Sequence, residues 1–163
     1  MAARAKRRQS VSVPAPLFAI GYEKSRPEAV QTELARARVK ILVDTRAVAA
    51  SRKPGFSKRQ LAAFLDENGI AYLHLQKLGT PAAGRQAARA GDMKKLWRIY
   101  DRHLETPDAK EAMAELLTLV RSGKRICLLC FERDPAQCHR SRIAAIVRER
   151  TGAKITDLVP ALF

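Results

Sequence analysis

Residues 125–130 read Arg-Ile-Cys-Leu-Leu-Cys, which is the strongest signal for a buried strand in this chain. A strand that is apolar on both faces is typical of a parallel sheet covered by helices on both sides. Moving outward from it, apolar residues recur at helical spacing near 92–104, over 108–121 and over 141–150. Residues 155–159 form a last short apolar run. The C-terminal half therefore predicts two buried strands flanked by helices.

The N-terminal half repeats the alternation of strand and helix. Short apolar strands are predicted at 17–20, 40–44 and 71–75. Helices are predicted between them, the first beginning near Pro27 and the second ending at Gly69, because apolar residues recur there every three to four positions. We therefore expect an α/β fold, a three-layer sandwich with a mostly parallel sheet of about five strands and helices on both faces.

Length and composition indicate a single globular domain. The chain has 163 residues, 47% hydrophobic and 29% charged, which excludes the apolar-poor class of disordered proteins. Residues 1–15 are expected to form a flexible basic arm, and residues 16–163 a single α/β domain. No apolar stretch approaches the roughly 20 residues of a membrane span, so no membrane partner is expected.

The net charge of +15 indicates an anionic partner. The chain has 31 Lys and Arg residues against 16 Asp and Glu residues. Residues 11–163 still hold 27 basic against 16 acidic side chains, so the charge belongs to the domain as well as to the arm. DNA or RNA is one expected partner, because such a charge steers association with nucleic acid. A phosphorylated small molecule is the other.

The cysteines are too few and too close together for the disulfide framework of a secreted protein. They lie at positions 127, 130 and 138, which favours a reducing, cytoplasmic setting. Residues three apart on a strand face opposite sides of the sheet, so Cys127 and Cys130 do not converge on one ion. We therefore expect neither a metal nor a cofactor, and the sequence leaves the oligomeric state open.

Polar residues follow the second strand directly. Asp44 and Arg46 project from its carboxyl end, where sites form in parallel α/β sheets. Arg46 is predicted to bind an anion, since a guanidinium matches phosphate or carboxylate in a bidentate way. The alternative is an Asp–Arg pair that braces the next loop. That loop is basic and contains an aromatic residue, and its candidate anion-binding residues are Ser51, Arg52, Lys53 and Phe56.

The densest polar stretch follows the strand that ends at Cys130. Its candidate catalytic residues, taken together with Asp44, are Cys130, Glu132, Cys138 and His139. A helix begins just after Cys138, and a helix N-terminus favours both anions and thiolates. The alternative is structural, with Cys138 packed inward, His139 capping a neighbour and Arg140 paired with Glu132. The candidate anion-binding residues nearby are Arg133, Arg140 and Ser141, and those near the other strand ends are Tyr22, Tyr72 and His74.

The order of these motifs resembles the domain of unknown function 488 family. The resemblance runs from Leu17 to Val159, with Lys24 where the family usually has glycine. It rests on Ile20-Gly21-Tyr22-Glu23, Val43-Asp44-Thr45-Arg46, Ser51-Arg52-Lys53-Pro54-Gly55-Phe56 and Cys130-Phe131-Glu132-Arg133-Asp134-Pro135 followed by Cys138-His139-Arg140. The family name assigns no reaction.

A looser resemblance concerns the two strand ends. The strand from Leu42 to Arg46 is similar to the Asp-x-Arg strand of rhodanese-like domains, and the loop from Cys130 to Arg140 is similar to the cysteine loop of rhodaneses and cysteine phosphatases. This implies a Rossmann-like or rhodanese-like sheet and a thiolate within a ring of backbone N–H groups. The loop is longer than that of phosphatases, so it could not wrap one phosphate in the same way.

Two functions follow as hypotheses. The first is a protein that binds or processes nucleic acid at an anion-binding pocket formed by the strand ends. The second is a small-molecule enzyme with a cysteine nucleophile, either Cys130 or Cys138, that transfers sulfur or phosphoryl groups. A structural anion-binding module without turnover is the third reading.

Overall fold

The computed structural model describes residues 14–163. All five predicted strands are present, each within two residues of its predicted bounds. In chain order they are β1 (Leu17–Gly21), β2 (Ile41–Asp44), β3 (Ala71–His74), β4 (Ile126–Cys130) and β5 (Ile155–Leu158). The predicted basic arm lies outside the described residues, apart from positions 14 and 15.

Within residues 14–163 six helices surround the sheet, and five of them were predicted. They are α1 (Pro27–Arg36), α2 (Lys58–Glu67), α3 (Ala82–Arg89), α4 (Met93–Leu104), α5 (Pro107–Arg121) and α6 (Arg140–Thr151). Helix α3 was not predicted. It has eight residues and only Gly84 and Ala87 are buried, so it lacks the large apolar residues that reveal a helical period.

The sheet is entirely parallel, with the order β3-β2-β4-β1-β5. One face packs against α1 and α2, with Phe18 and Leu42 in the core, and the other packs against α4, α5 and α6, with Ala19 and Val43. The predicted three-layer sandwich is confirmed. Strand β4 lies at the centre, because β1 and β2 pair with its two sides.

The connections of β1 and β4 position the site. The chain leaves β1 for α1 on one face and leaves β4 for α6 on the opposite face. In parallel α/β sheets a crevice opens where neighbouring strands send their connections to opposite faces. The crevice of this protein therefore lies beyond Gly21 and Cys130, which are partners in the register of β1 and β4.

Gly21 lets the loop after β4 pass directly over the end of β1. A Cβ atom at this position would collide with the backbone carbonyl of Glu132. The turn that follows contains Lys24, which adopts a left-handed conformation with φ 56°. The tight turn at this position is thus formed without glycine.

Within residues 14–163, no helix has the length and apolar character that crossing a bilayer requires.

We predict that Gly21→Ala lowers the free energy of unfolding by about 3 kcal/mol, the upper end of the cost of overpacking, because the new methyl group meets backbone that cannot rotate away. The comparison variant is Gly69→Ala, where φ is 71° and an added Cβ meets nothing within 4 Å. Its cost should be the conformational strain alone, about 1–2 kcal/mol. Urea unfolding of both variants measures the difference. Equal losses would show that the loop moves freely over β1.

Candidate functional site

A buried ion pair braces the end of β2. Asp44 is fully buried and Arg46 is 6% exposed. The Arg46 guanidinium donates from Nε to Asp44 Oδ1 at 2.9 Å and from Nη2 to Asp44 Oδ2 at 2.7 Å. Burial alone would lower the pKa of Arg46, but its hydrogen bonds and charge interaction with Asp44 raise it overall. Arg46 therefore stays charged inside the protein.

The same guanidinium ties two other segments to β2. Nη1 donates to the Tyr22 hydroxyl at 3.0 Å and to the Phe56 carbonyl at 2.7 Å. The Tyr72 hydroxyl donates to Asp44 Oδ2, the oxygen that also accepts from Arg46 Nη2. Four of the five N–H groups of Arg46 thus have partners within the protein. The pair therefore braces the loop, as in the alternative to an anion-binding role for Arg46. The Asp44 carboxylate is already engaged by hydrogen bonds from Arg46 and Tyr72.

His139 is held in one defined tautomer. Its Nε2 lies 2.8 Å from the Thr45 carbonyl oxygen, which can only accept, so Nε2 carries the proton. Thr45 is fixed in turn, because its backbone N–H and its hydroxyl both donate to the Leu129 carbonyl of β4. Burial lowers the pKa of His139 to about 4. At neutral pH the imidazole is therefore uncharged, with the lone pair on Nδ1.

The lone pair of His139 faces two sulfur atoms. Nδ1 lies 3.5 Å from Cys130 Sγ and 3.8 Å from Cys138 Sγ. The two sulfurs are joined as a disulfide, which the sequence analysis did not expect. Glu132 Oε2 lies 2.9 Å from Cys130 Sγ, and burial raises the pKa of the Glu132 carboxyl group. The structure thus brings four predicted catalytic residues together.

Cys127 lies on the opposite side of the sheet, as its position on the strand predicts. It is fully buried in the core beside α1 and α2, and burial raises the pKa of its thiol. The donor atoms of Cys130, Cys138 and His139, in contrast, all lie within 4.8 Å of one another. Two thiolates and an imidazole are suitable ligands for a soft divalent ion when the disulfide is reduced. The prediction of no metal rested on the opposite facing of Cys127 and Cys130 and did not consider this set of three.

A pocket of about 540 Å³ opens above this cluster. Cys130, Glu132 and His139 form part of its floor, beside Tyr22 and Arg46. Its lining also includes Ser51 and Arg52, together with residues that the sequence did not single out: Val48, Thr80, Arg85, Arg89 and Phe131. The exposed residues among them form its mouth together with the half-buried Arg85; they are Val48, Arg52, Arg89 and Phe131. Arg85 and Arg89 lie four apart on α3, so recognising that helix would have shown that both face one direction.

Several residues that were predicted to bind an anion do not line the pocket. Phe56 is fully buried and stacks on Tyr22 with 4.3 Å between ring centroids, so its ring is closed to a ligand. Phe131 is the exposed aromatic residue instead, at 45%. Lys53 donates to the Tyr22 carbonyl at 3.1 Å. His74 Nε2 donates to the Arg46 carbonyl at 2.7 Å, which matches the structural reading of this residue.

The predicted anion-binding residues after Glu132 support the loop. Arg140 is 1% exposed, and its guanidinium donates to the backbone carbonyls of Glu132 and Arg133. It therefore holds the loop backbone and not the Glu132 carboxylate. Arg133 donates to the Pro160 carbonyl at 2.7 Å, and Ser141 donates to the Cys138 carbonyl at 2.8 Å. These three side chains serve the shape of the loop.

The backbone amides of this loop are also largely in use. The N–H groups of residues 133, 136, 137 and 138 donate to Glu23, Asp134 and Pro135. The rhodanese and phosphatase resemblance implies a ring of free N–H groups around the substrate. Loop 131–138 does not offer such a ring, because four of its seven backbone N–H groups bind within the protein.

We predict that the protein loses up to about 3 kcal/mol of stability as the pH falls from 6.5 to about 4 because of His139. The pKa of this histidine is depressed on folding, so in that range the unfolded chain binds the proton more readily than the native protein does. Urea unfolding across this pH range measures the effect. His139→Gln should flatten that part of the profile, whereas His103→Gln, a histidine that is not buried, should not. The raised pKa of Glu132 acts in the opposite direction and cancels in the comparison with His139→Gln.

The comparisons with known proteins give one match. A family model described as domain of unknown function DUF488 matches residues 26–147, from the residue before α1 into α6. No curated protein and no solved structure matches the chain. The matched region contains the braced end of β2 and the whole cysteine and histidine cluster. The protein therefore belongs to the DUF488 family.

Proposed function

We propose that this protein is a thiol-dependent enzyme acting on an anionic substrate, with Cys130 as nucleophile and His139 as base. One observation carries the proposal: the unprotonated Nδ1 of His139 lies 3.5 Å from Cys130 Sγ, with the tautomer fixed by the Thr45 carbonyl. A nucleophile beside a base that is oriented by a third group is the common arrangement of covalent catalysis.

Two titratable groups flank the Cys130 sulfur. Burial raises the pKa of Glu132 and lowers that of His139, so it favours the neutral form of each group. His139 is the base, because its unprotonated Nδ1 faces the sulfur. Once the disulfide is reduced, His139 accepts the Cys130 proton and passes it to the leaving group. The reducing, cytoplasmic setting expected from the cysteine count would keep the thiols in this form.

The positive charge at the mouth of the pocket supports an anionic substrate. Arg52, Arg85 and Arg89 line it, and none of the three forms an ion pair within residues 14–163. Glu132 is the one carboxylate among the residues that line this pocket. An incoming anion therefore meets three guanidinium groups before it reaches the sulfur.

We predict that iodoacetamide alkylates Cys130 in the native, reduced protein, because this sulfur lines the pocket and has a neighbouring base. Cys127 should react only after denaturation, since it is fully buried on the other side of the sheet. His139→Gln should slow alkylation of Cys130 at neutral pH by at least about tenfold through loss of the general base. Peptide mass spectrometry after timed labelling measures each rate.

Cys127→Ser serves as the control and should leave the rate at Cys130 unchanged. Labelling of Cys130 only after denaturation, or an unchanged alkylation rate in His139→Gln, would contradict the proposed function. Either result would favour the third hypothesis, a structural anion-binding module without turnover.

Nucleic acid is a second candidate, as the anion that this pocket receives. The specific observation is the pairing of basic and exposed apolar side chains at the mouth: Phe131 and Val48 are 45% and 54% exposed beside Arg52, Arg85 and Arg89. Aromatic surface next to guanidinium groups suits unpaired bases and their phosphates. The net charge of +15 favours the same partner.

If nucleic acid is the partner, single-stranded DNA or RNA should bind more tightly than about 10⁻⁶ M at ~150 mM salt. Arg85→Gln/Arg89→Gln should weaken binding and reduce the slope of log affinity against log salt by about two. The control is Lys40→Gln/Lys124→Gln, which removes the same charge at the opposite edge of the sheet, before β2 and β4. Fluorescence anisotropy measures both. Equal losses in the two variants would indicate non-specific attraction and favour a small anionic substrate.

A further inference from the structure

The cluster contains a second sulfur that the proposed function does not use. Both residues are buried, Cys130 at 2% and Cys138 at 1% exposed, but Cys130 lines the pocket and Cys138 does not. The two sulfurs are disulfide-bonded, so no backbone rearrangement is needed for them to react with each other. A molecule entering the pocket reaches Cys130, and Cys138 lies behind it.

His139 serves both sulfurs. Its Nδ1 lies at 3.5 Å from one and 3.8 Å from the other, so the same lone pair can remove a proton from either thiol. A base shared in this way fits a reaction in which the two thiols act in turn. A mechanism with one nucleophile would not require His139 to lie beside Cys138 as well as Cys130.

The loop argues against phosphoryl transfer to Cys130. The amides of residues 133, 136, 137 and 138 bind within the protein, so they do not surround a phosphate. Attack on a sulfur–sulfur bond, in contrast, develops charge on sulfur alone and needs no oxyanion cradle.

Resting on the proposed function, we propose that the enzyme reduces the disulfide bond of an anionic substrate, with Cys130 as the attacking thiol and Cys138 as the resolving thiol. In the first step Cys130 gives its proton to His139 and attacks one sulfur of R–S–S–R′. The substrate bond breaks, R′–S⁻ leaves with that proton, and Cys130–S–S–R forms.

In the second step Cys138 gives its proton to His139 and attacks Cys130 Sγ. R–S⁻ leaves with this proton, and the Cys130–Cys138 disulfide forms. The substrate has gained two electrons and two protons, which the two thiols have lost. Two equivalents of an external thiol return the protein to its reduced form.

The test uses the reduced full-length chain and glutathione disulfide, whose net charge is negative, as the probe. The wild-type protein should form the Cys130–Cys138 disulfide and release two glutathione thiols per chain. Cys138→Ser should stop after the first step, with one glutathione on Cys130 and release of the second slowed by at least about a hundredfold. Intact-mass spectrometry and peptide mapping follow both products.

Two controls keep the result specific. Cys127→Ser should behave as the wild type, because this thiol lies across the sheet. Cystamine, a disulfide of opposite charge, should oxidise the wild type at least about tenfold more slowly than glutathione disulfide does, and Arg85→Gln/Arg89→Gln should narrow that difference. Cys138→Ala repeats the trapping in case the serine hydroxyl perturbs the loop.

A stable glutathione adduct on wild-type Cys130, without disulfide formation, would overturn this inference. Iodoacetamide labelling of the reduced protein, before glutathione disulfide is added, separates the two proposals. If Cys130 alkylates in the native protein but no disulfide forms, resolution by Cys138 fails and the proposed function stands. If Cys130 does not alkylate, both fail.

Discussion

The central position of β4 is the constraint on which the rest of the structure depends. Because β1 and β2 pair with its two sides, the ends of three strands lie next to one another. The Leu129 carbonyl receives two hydrogen bonds from Thr45, and the Thr45 carbonyl receives one from His139. The orientation of the imidazole is thus set by backbone groups of the sheet. A base held in this way needs no side-chain partner of its own.

Charged groups inside the protein divide into those that hold the backbone and those that can react. Arg46 and Arg140 are both buried, and each donates hydrogen bonds to internal acceptors, while Arg140 Nε has no partner within residues 14–163. Buried guanidinium groups fixed at several points stiffen the loops between strands more than they attract ligands. Glu132 and His139 differ, since burial drives each toward its neutral form.

The fold was predictable because its strands are apolar on both faces. Five short runs bounded by turns gave the strand bounds within two residues, and the order of motifs gave the family. Helix α3 was not predicted because its alanine and arginine residues form no apolar period. Arg85 and Arg89, which lie on this helix at the pocket mouth, were therefore not predicted either.

The sequence indicates which residues belong to the candidate site, but not how they are arranged in space. Strand parity correctly separated Cys127 from Cys130, but no spacing rule reveals that a loop of seven residues returns Cys138 to Cys130. Phe56 and Phe131 show the same limit. Phe56 follows the turn residue Gly55 and Phe131 follows the buried strand β4, so their neighbours favour an exposed Phe56 and a buried Phe131. The structure shows the reverse, because Phe56 stacks on Tyr22 while Phe131 meets only its edge.

The reactive cluster and the mouth of the pocket come from different parts of the chain. The sulfurs, Glu132 and His139 belong to the segment from β4 to α6, while the mouth arginines belong to α3 and to the loop after β2. Under the proposed function, substitutions in α3 therefore change which molecules enter without altering the groups proposed to react with them. One short surface helix can then be exchanged, in nature or by engineering, while the proposed chemistry is kept.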